Sequence, residues 1–214
     1  KPGADTRLRF EELDLSLIDD CRDFHFGTLS LTDEPVKTAT EKAVAYAKEK
    51  GKIISFDPNL RKPLWRSLAD ARQAMLWGLS QADIVKISDE EVLFLWHCDP
   101  QEALAILHEQ YGVKLAFITL GPNGCLYSGN GYTGQARCPK VHPVDTTGAG
   151  DIFLLGFDKA NHVPGQGGEH ELVCVGKGFL NRGDSERIFK VIDGITVGAF
   201  QSNMLRSPIS VESL

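Results

Sequence analysis

Short β-rich runs and amphipathic helical stretches take turns along residues 23–120, and few architectures accept that alternation. Residues 23–31 alternate bulky with polar or small residues, which predicts a strand ending in a loop at Gly27, with a helix to follow. From Glu34 to Lys50 the apolar positions Val36, Ala39, Ala43, Val44 and Ala47 recur at helical spacing. Pro35 falls in the first turn and Gly51 closes the segment. Lys52 to Phe56 reads as a strand, Leu68 to Gln81 as a helix and Asp83 to Ile87 as a strand. Ser88 to Trp96 and Asp99 to Tyr111 read as helices, and Lys114 to Leu120 as a strand. Strands joined through helices lie parallel, so the expected class is α/β, a mostly parallel sheet flanked by helices. Cys125 to Ser128 and Tyr132 to Cys138 then predict a hairpin around Gly129-Asn130-Gly131. Residues 156–183 hold seven of the 21 glycines and Pro164, and read as loop-rich.

Charge and cysteine content narrow the function classes. With 23 basic against 29 acidic side chains the formal net charge is −6, and the basic residues are scattered. Binding to a nucleic acid or an anionic membrane calls for concentrated positive charge, so neither is expected as a partner. No apolar run approaches bilayer length, and residues 1–5 lack the pattern of a secretory signal. Cys21, Cys98, Cys125, Cys138 and Cys174 are odd in number and far apart, with no metal-ligand spacing, so the expected setting is a reducing cytoplasm. His97-Cys98, and His162, His170 and Cys174 in the glycine-rich stretch, lack a metal spacing too. Trp65, Trp77 and Trp96 lie in or beside helices and are expected to fill core or interface.

In parallel α/β sheets ligands bind beyond the carboxyl ends of the strands, where four polar clusters stand out. Asp145-Thr-Thr-Gly-Ala-Gly-Asp151 runs into an apolar helix start. Backbone N–H groups there suit the oxygens of a phosphoryl group, and Asp151 could accept the proton of an attacking hydroxyl. An N-cap at Asp145 or Thr147 in an ordinary glycine loop explains the same residues. Asp57-Pro-Asn-Leu-Arg61 leaves a strand end, and an Arg suits phosphate because its guanidinium donates two parallel hydrogen bonds. A surface turn with a solvated Arg61 is the alternative. Ser88-Asp-Glu-Glu91 opens a helix, where acidic residues commonly serve as dipole partners and a capping box. Thr119-Leu-Gly-Pro-Asn-Gly124 places glycines where the chain turns after a strand.

Taken together these stretches resemble the ribokinase-like (phosphofructokinase B-type) carbohydrate kinases, and within them the fructokinases. Asp145 to Asp151 is similar to the family's second signature. Lys1 to Asp5, Phe24 to Leu31, Asp57 to Arg61 with Pro63-Leu-Trp65, Lys86 to Glu91 and Thr119 to Gly124 follow in family order, over residues 1 to about 157. The resemblance implies a Rossmann-type three-layer fold and ATP-dependent phosphorylation of a sugar hydroxyl, fructose to fructose 6-phosphate, with ATP and Mg²⁺ as cofactors. It implies Asp151 as catalytic base, with Gly148, Ala149 and Gly150 as anion hole, and Asn59 and Arg61 near phosphoryl group and sugar. It also implies Thr119, Gly121, Gly124 and Lys86 at the nucleotide, and Glu91 on Mg²⁺ through water, with Ser88 in place of the family's Asn. A homodimer is compatible with it.

Family members carry a long portion before the Lys1-Pro-Gly-Ala-Asp5 stretch. The first strands, the lid and most sugar-holding residues are therefore expected to be missing, and the chain alone is expected to be an inefficient kinase. Residues 1–157 are expected to form a partial kinase domain and 158–214 its diverged C-terminal part, where Asp158 to Pro164 interrupts the family's long helix. Two alternatives stay open: a non-catalytic nucleotide-binding or assembly protein on the same fold, and a kinase for another sugar or a nucleoside.

Overall fold

The computed structural model describes residues 3–137, together with the backbone of a short antiparallel pairing of Cys174–Val175 with Gly178–Phe179. The chain enters through two 3-10 turns, Ala4–Arg7 and Phe10–Glu12, and a short helix, α1 (Leu15–Asp20). Segments of three to six residues carry no periodic signal, and the sequence pattern did not announce them. From Asp23 onward strands and helices alternate: β1 (Asp23–Gly27), α2 (Val36–Glu49), β2 (Ile53–Asp57), α3 (Leu68–Gln81), β3 (Ile84–Ser88), α4 (Asp89–Trp96), α5 (Pro100–Tyr111) and β4 (Leu115–Thr119). β5 (Cys125–Gly129) and β6 (Tyr132–Ala136) form the hairpin, with Asn130 and Gly131 both at positive φ as a two-residue hairpin loop requires.

Local chemistry sets the boundaries. Ser67 caps α3 through the Asp70 amide, and Asp99 caps α5 through the Gln101 and Glu102 amides, with Pro100 next in line. Gly112 closes α5 in the left-handed region at φ 68°. Instead of passing directly into a helix, Thr28–Leu31 makes a 3-10 turn after β1.

The six strands of the sheet lie side by side in sequence order. β1 to β4 are parallel, and β5 and β6 add antiparallel at the end. Right-handed crossovers that always step in the same direction carry their helices to one face. The main core confirms that placement: Phe26, Ile54, Phe56, Val85, Ile87, Ala116, Ile118 and Leu126 alternate along the strands and meet Ala43, Val44 and Ala47 of α2, Met75 and Leu79 of α3, Val92 and Leu95 of α4 and Leu104 and Leu107 of α5. Period-two alternation sends Ser55, Asp57, Lys86, Ser88 and Thr119 to the opposite face. Trp65, Trp77 and Trp96 are half-buried and pack against the main core, as expected.

Helix α3 comes close to β2 because Gly78 lies flat against the Phe56 ring, which is fully buried; a methyl at Gly78 would overlap three ring atoms. An alanine gains about 1 kcal/mol of helix propensity, but overpacking a closed core costs roughly 1–3 kcal/mol. Gly78→Ala should therefore lose net stability in urea unfolding, and the double variant with Phe56→Leu should recover part of that loss.

Candidate active site

Four parallel strands end at one rim. Register places Gly27 beside Asp57 at the ends of β1 and β2, and Ser88 beside Thr119 at the ends of β3 and β4. The sequence-selected clusters Asp57–Arg61, Lys86–Glu91 and Thr119–Gly124 thus meet at the carboxyl rim of one sheet. The cluster at Gly148, Ala149, Gly150 and Asp151 lies outside the described residues, as do residues 158–173 and Cys138.

Lys86 and Asp57 form the charged centre. The Lys86 ammonium donates to Asp57 Oδ2 at 2.8 Å, and the two side chains are 10% and 5% exposed, so the pair is shielded from water. Asp57 Oδ1 accepts from the Asn59 amide at 3.1 Å. Burial pushes the Asp57 carboxyl above its ordinary range; Lys86 and the Asn59 amide pull the other way, and Glu91 adds to the rise. From the sequence, Asp57 stands only as part of its motif, with no role of its own. The available signal was a lone Asp and a lone Lys in neighbouring apolar strands, a combination that favours pairing.

The loop that follows β2 is held from three sides. Thr28, fully buried, donates both its backbone amide, at 3.3 Å, and its hydroxyl to the Pro58 carbonyl. Glu91 Oε1 accepts from the Leu60 amide at 2.7 Å. Asn59 sits at φ 45°, in the left-handed region, with its amide on Asp57 as above. Arg61 follows at the exposed end of this loop.

Glu91 is 7% exposed and also closes the capping box of α4: its Oε2 accepts from the Ser88 amide and hydroxyl, each at 2.9 Å, while Ser88 Oγ accepts from the Glu91 amide. Three donors therefore occupy this carboxylate, leaving room on Oε1 for one more. A water of a hydrated cation can supply that fourth donor. Among the described residues no group of three His, Cys, Asp or Glu side chains gathers around a common point.

At the fourth strand Gly121 and Gly124 have φ 54° and 93°, and the turn closes through the Leu120 amide on the Gly124 carbonyl at 2.8 Å. Turn geometry alone accounts for both glycines. Thr119 is half-buried at the strand end. His97, beside Cys98, takes the left-handed position that ends α4, a structural role in keeping with the absence of a metal spacing.

A buried ammonium and carboxylate, a clamped loop carrying Asn59 and Arg61, and a glycine turn all stand at the carboxyl rim of a parallel sheet, the edge at which open α/β sheets bind their ligands. Comparison makes the class specific. The family model described as pfkB family carbohydrate kinase matches residues 1–159, and the chain belongs to that family. Probable fructokinase-2 of Arabidopsis thaliana is 44% identical over 156 residues, which are 72% of this chain and 47% of that protein. Fructokinase-1 of Zea mays is 43% identical over 154 residues, 72% and 48% of the two chains. Among solved structures, the fructokinase double mutant from Vibrio cholerae O395 in its fructose-, ADP- and potassium-bound form superposes with TM-score 0.68 at 29% identity, covering 77% of this chain and 52% of that one. A putative ribokinase II from E. coli in complex with ATP and Mg²⁺ gives TM-score 0.66 at 32% identity, covering 75% and 52%. The chain spans about half the length of the relatives it matches. No helix among the described residues is long and apolar enough to cross a membrane.

Removing either member of the Asp57–Lys86 pair has unequal consequences. Asp57→Asn leaves a buried ammonium without its counter-charge and should cost about 3 kcal/mol or more. Lys86→Met leaves a carboxyl that burial already pushes above its usual 3.8, and that group can take up a proton. Between 3.8 and the raised value the folded state binds more protons than the unfolded state, so stability falls as pH rises through that window. Lys86→Met should therefore be less damaged than Asp57→Asn and lose stability in thermal unfolding as pH rises above the ordinary carboxylate value of 3.8.

Proposed function

We propose that this chain serves ATP-dependent phosphorylation of a sugar hydroxyl, fructose to fructose 6-phosphate. The observation that carries the proposal is the meeting of the Asp57–Arg61, Lys86–Glu91 and Thr119–Gly124 clusters at one rim of a parallel sheet. Membership of the pfkB family and fructokinases at 43–44% identity support it. Fructose and ADP in the Vibrio cholerae neighbour, and ATP with Mg²⁺ in the E. coli one, support a sugar, an adenine nucleotide and a divalent cation as the ligands here.

In this reading Asn59 and Arg61 meet the transferred phosphoryl group and the sugar, the guanidinium supplying paired donors to phosphate oxygens. Lys86 offers an ammonium proton beyond the one spent on Asp57, and with Thr119, Gly121 and Gly124 it faces the nucleotide. Asp151 takes the proton from the attacking hydroxyl, and the N–H groups of Gly148, Ala149 and Gly150 receive the γ-phosphoryl oxygens. Mg²⁺ neutralises charge on the phosphates when bound, and Glu91 reaches it through water. A cytoplasmic setting and residues 158–214 as a diverged end of the same domain belong to the proposal; one relative, probable fructokinase-6 of Arabidopsis thaliana, is named chloroplastic.

Phosphoryl transfer depends chiefly on positioning and charge stabilisation, so slow turnover by the chain alone is compatible with an intact rim. The purified chain with Mg-ATP should release ADP faster with fructose than without it. Asp151→Ala should lower that fructose-dependent rate by roughly 10²–10⁴-fold while leaving ATP affinity within a few-fold. Equal rates for the two proteins would remove Asp151 from the chemistry; ATP binding without any turnover would favour a binding or assembly role.

A further inference from the structure

The geometry points to Glu91 as a positioning residue: with Thr28 it holds the Asp57–Arg61 loop in one shape before any ligand arrives, and so sets where Asn59 and Arg61 stand. The inference rests on the reading above in taking those two side chains as the ones that meet phosphoryl group and sugar. Its basis is a bridge between three segments. Glu91 belongs to the first turn of α4, yet one of its oxygens is spent on the amide of Leu60, 31 positions earlier, between Asn59 and Arg61. The other oxygen is fixed by the Ser88 amide and hydroxyl, so the carboxylate cannot swing without breaking the cap of its own helix. From the opposite side Thr28, at the end of β1, grips the Pro58 carbonyl with amide and hydroxyl.

Pro58 and Leu60 are therefore anchored by two elements that flank the loop, and Asn59 between them is held at φ 45°. A residue in that region relaxes when its neighbours are freed, which would turn both its own side chain and the following Arg61. A carboxylate acting only on a metal would need no contact with Leu60.

The two roles separate by substitution. Glu91→Gln keeps an acceptor oxygen for Leu60 and turns its NH₂ toward the Ser88 hydroxyl; it gives up the bond from the Ser88 amide and carries no charge for a hydrated cation. Glu91→Ala loses the anchor altogether. Thr28→Val loses only the hydroxyl grip on Pro58, in an element that offers no ligand to a metal. Amide exchange of Asp57, Asn59, Leu60 and Arg61 in the full chain, without nucleotide or Mg²⁺, reads the loop directly, with α2 and α5 amides as the check on folding.

Glu91→Ala should speed Leu60 exchange roughly tenfold or more, Glu91→Gln by no more than about twofold, and Thr28→Val should speed exchange across the loop several-fold. In fructose-dependent ADP release, Glu91→Ala and Thr28→Val should both raise the KM for fructose, while the Mg²⁺ concentration for half-maximal rate should rise in the Glu91 variants alone. Leu60 exchange within twofold of wild type in Glu91→Ala overturns the inference. So does a raised Mg²⁺ requirement shared by Glu91→Gln and Glu91→Ala with Thr28→Val indistinguishable from wild type. Should Glu91→Ala fail to fold, Thr28→Val and Glu91→Gln carry the same comparison. A chain that neither binds ATP nor turns over fructose removes the functional reading, while the exchange rates still decide whether the anchor exists.

Discussion

Everything at the rim follows from the direction in which the sheet is built. Each of the first three crossovers steps to the next strand on the same side, so β1, β2, β3 and β4 lie in order and their connecting helices share one face. That face takes Phe26, Ile54, Phe56, Val85, Ile87, Ala116 and Ile118. Because side chains alternate, the other face receives His25, Ser55, Asp57, Lys86, Ser88 and Thr119, polar groups that no helical core would tolerate. His25 Nδ1 lies 3.0 Å from Ser55 Oγ, and Asp57 is tied to Lys86, so the polar residues satisfy one another along the strands. Parallel direction then collects their ends, with the loops that follow, at one edge.

A buried ion pair is a poor device for stability. Desolvating Asp57 and Lys86 offsets much of their attraction, and apolar residues of similar size often do as well or better at such positions. Burial that pushes the Asp57 carboxyl upward is the same desolvation acting on one partner. Charge retained where the strands are otherwise apolar points to chemistry at the rim more than to the needs of the fold. Glu91, also buried, differs in kind. Its three donors make it a hub of hydrogen bonds, and its burial is compensated locally by the cap and by Leu60.

How much of this could be read in the sequence divides along the range of the interactions. Period two in Phe24 to Gly27 and period 3.6 through Val36, Ala43 and Ala47 report local geometry, so β1 to β6 and α2 to α5 were legible, with ends displaced by a residue or two. The cap on α4 was legible as well, since Ser88 and Glu91 stand at the spacing of a capping box. The reach of Glu91 to Leu60, the grip of Thr28 on Pro58 and the ring of Phe56 on Gly78 were not. Each joins residues 22 to 31 positions apart whose types, taken singly, suit many surroundings. The rim clusters picked out from motifs stand at the ends of neighbouring strands where they are described; of the residues that hold the loop, Glu91 was named for another role and Thr28 stood only inside a motif.

The two anchors on the loop differ in strength as well as in origin. Glu91 offers Leu60 a charged acceptor, and hydrogen bonds to charged groups contribute about 1.5–3 kcal/mol, whereas the neutral pairing of the Thr28 hydroxyl with a carbonyl contributes about 0.5–1.5 kcal/mol. Ordering a loop costs roughly 1–2 kcal/mol per residue, and Pro58 lowers that cost because its φ is already fixed. Set against Pro58, Asn59 and Leu60 together, either anchor on its own falls short; the charged anchor, the neutral one and the proline together come close. A site whose task is to align phosphate and hydroxyl benefits from having that entropy lost during folding, so that it need not be lost again when ligand binds. The carboxylate at the N-terminus of α4 thereby links the local stability of one helix to the shape of a loop belonging to another strand, and the substrate-facing edge inherits its rigidity from both.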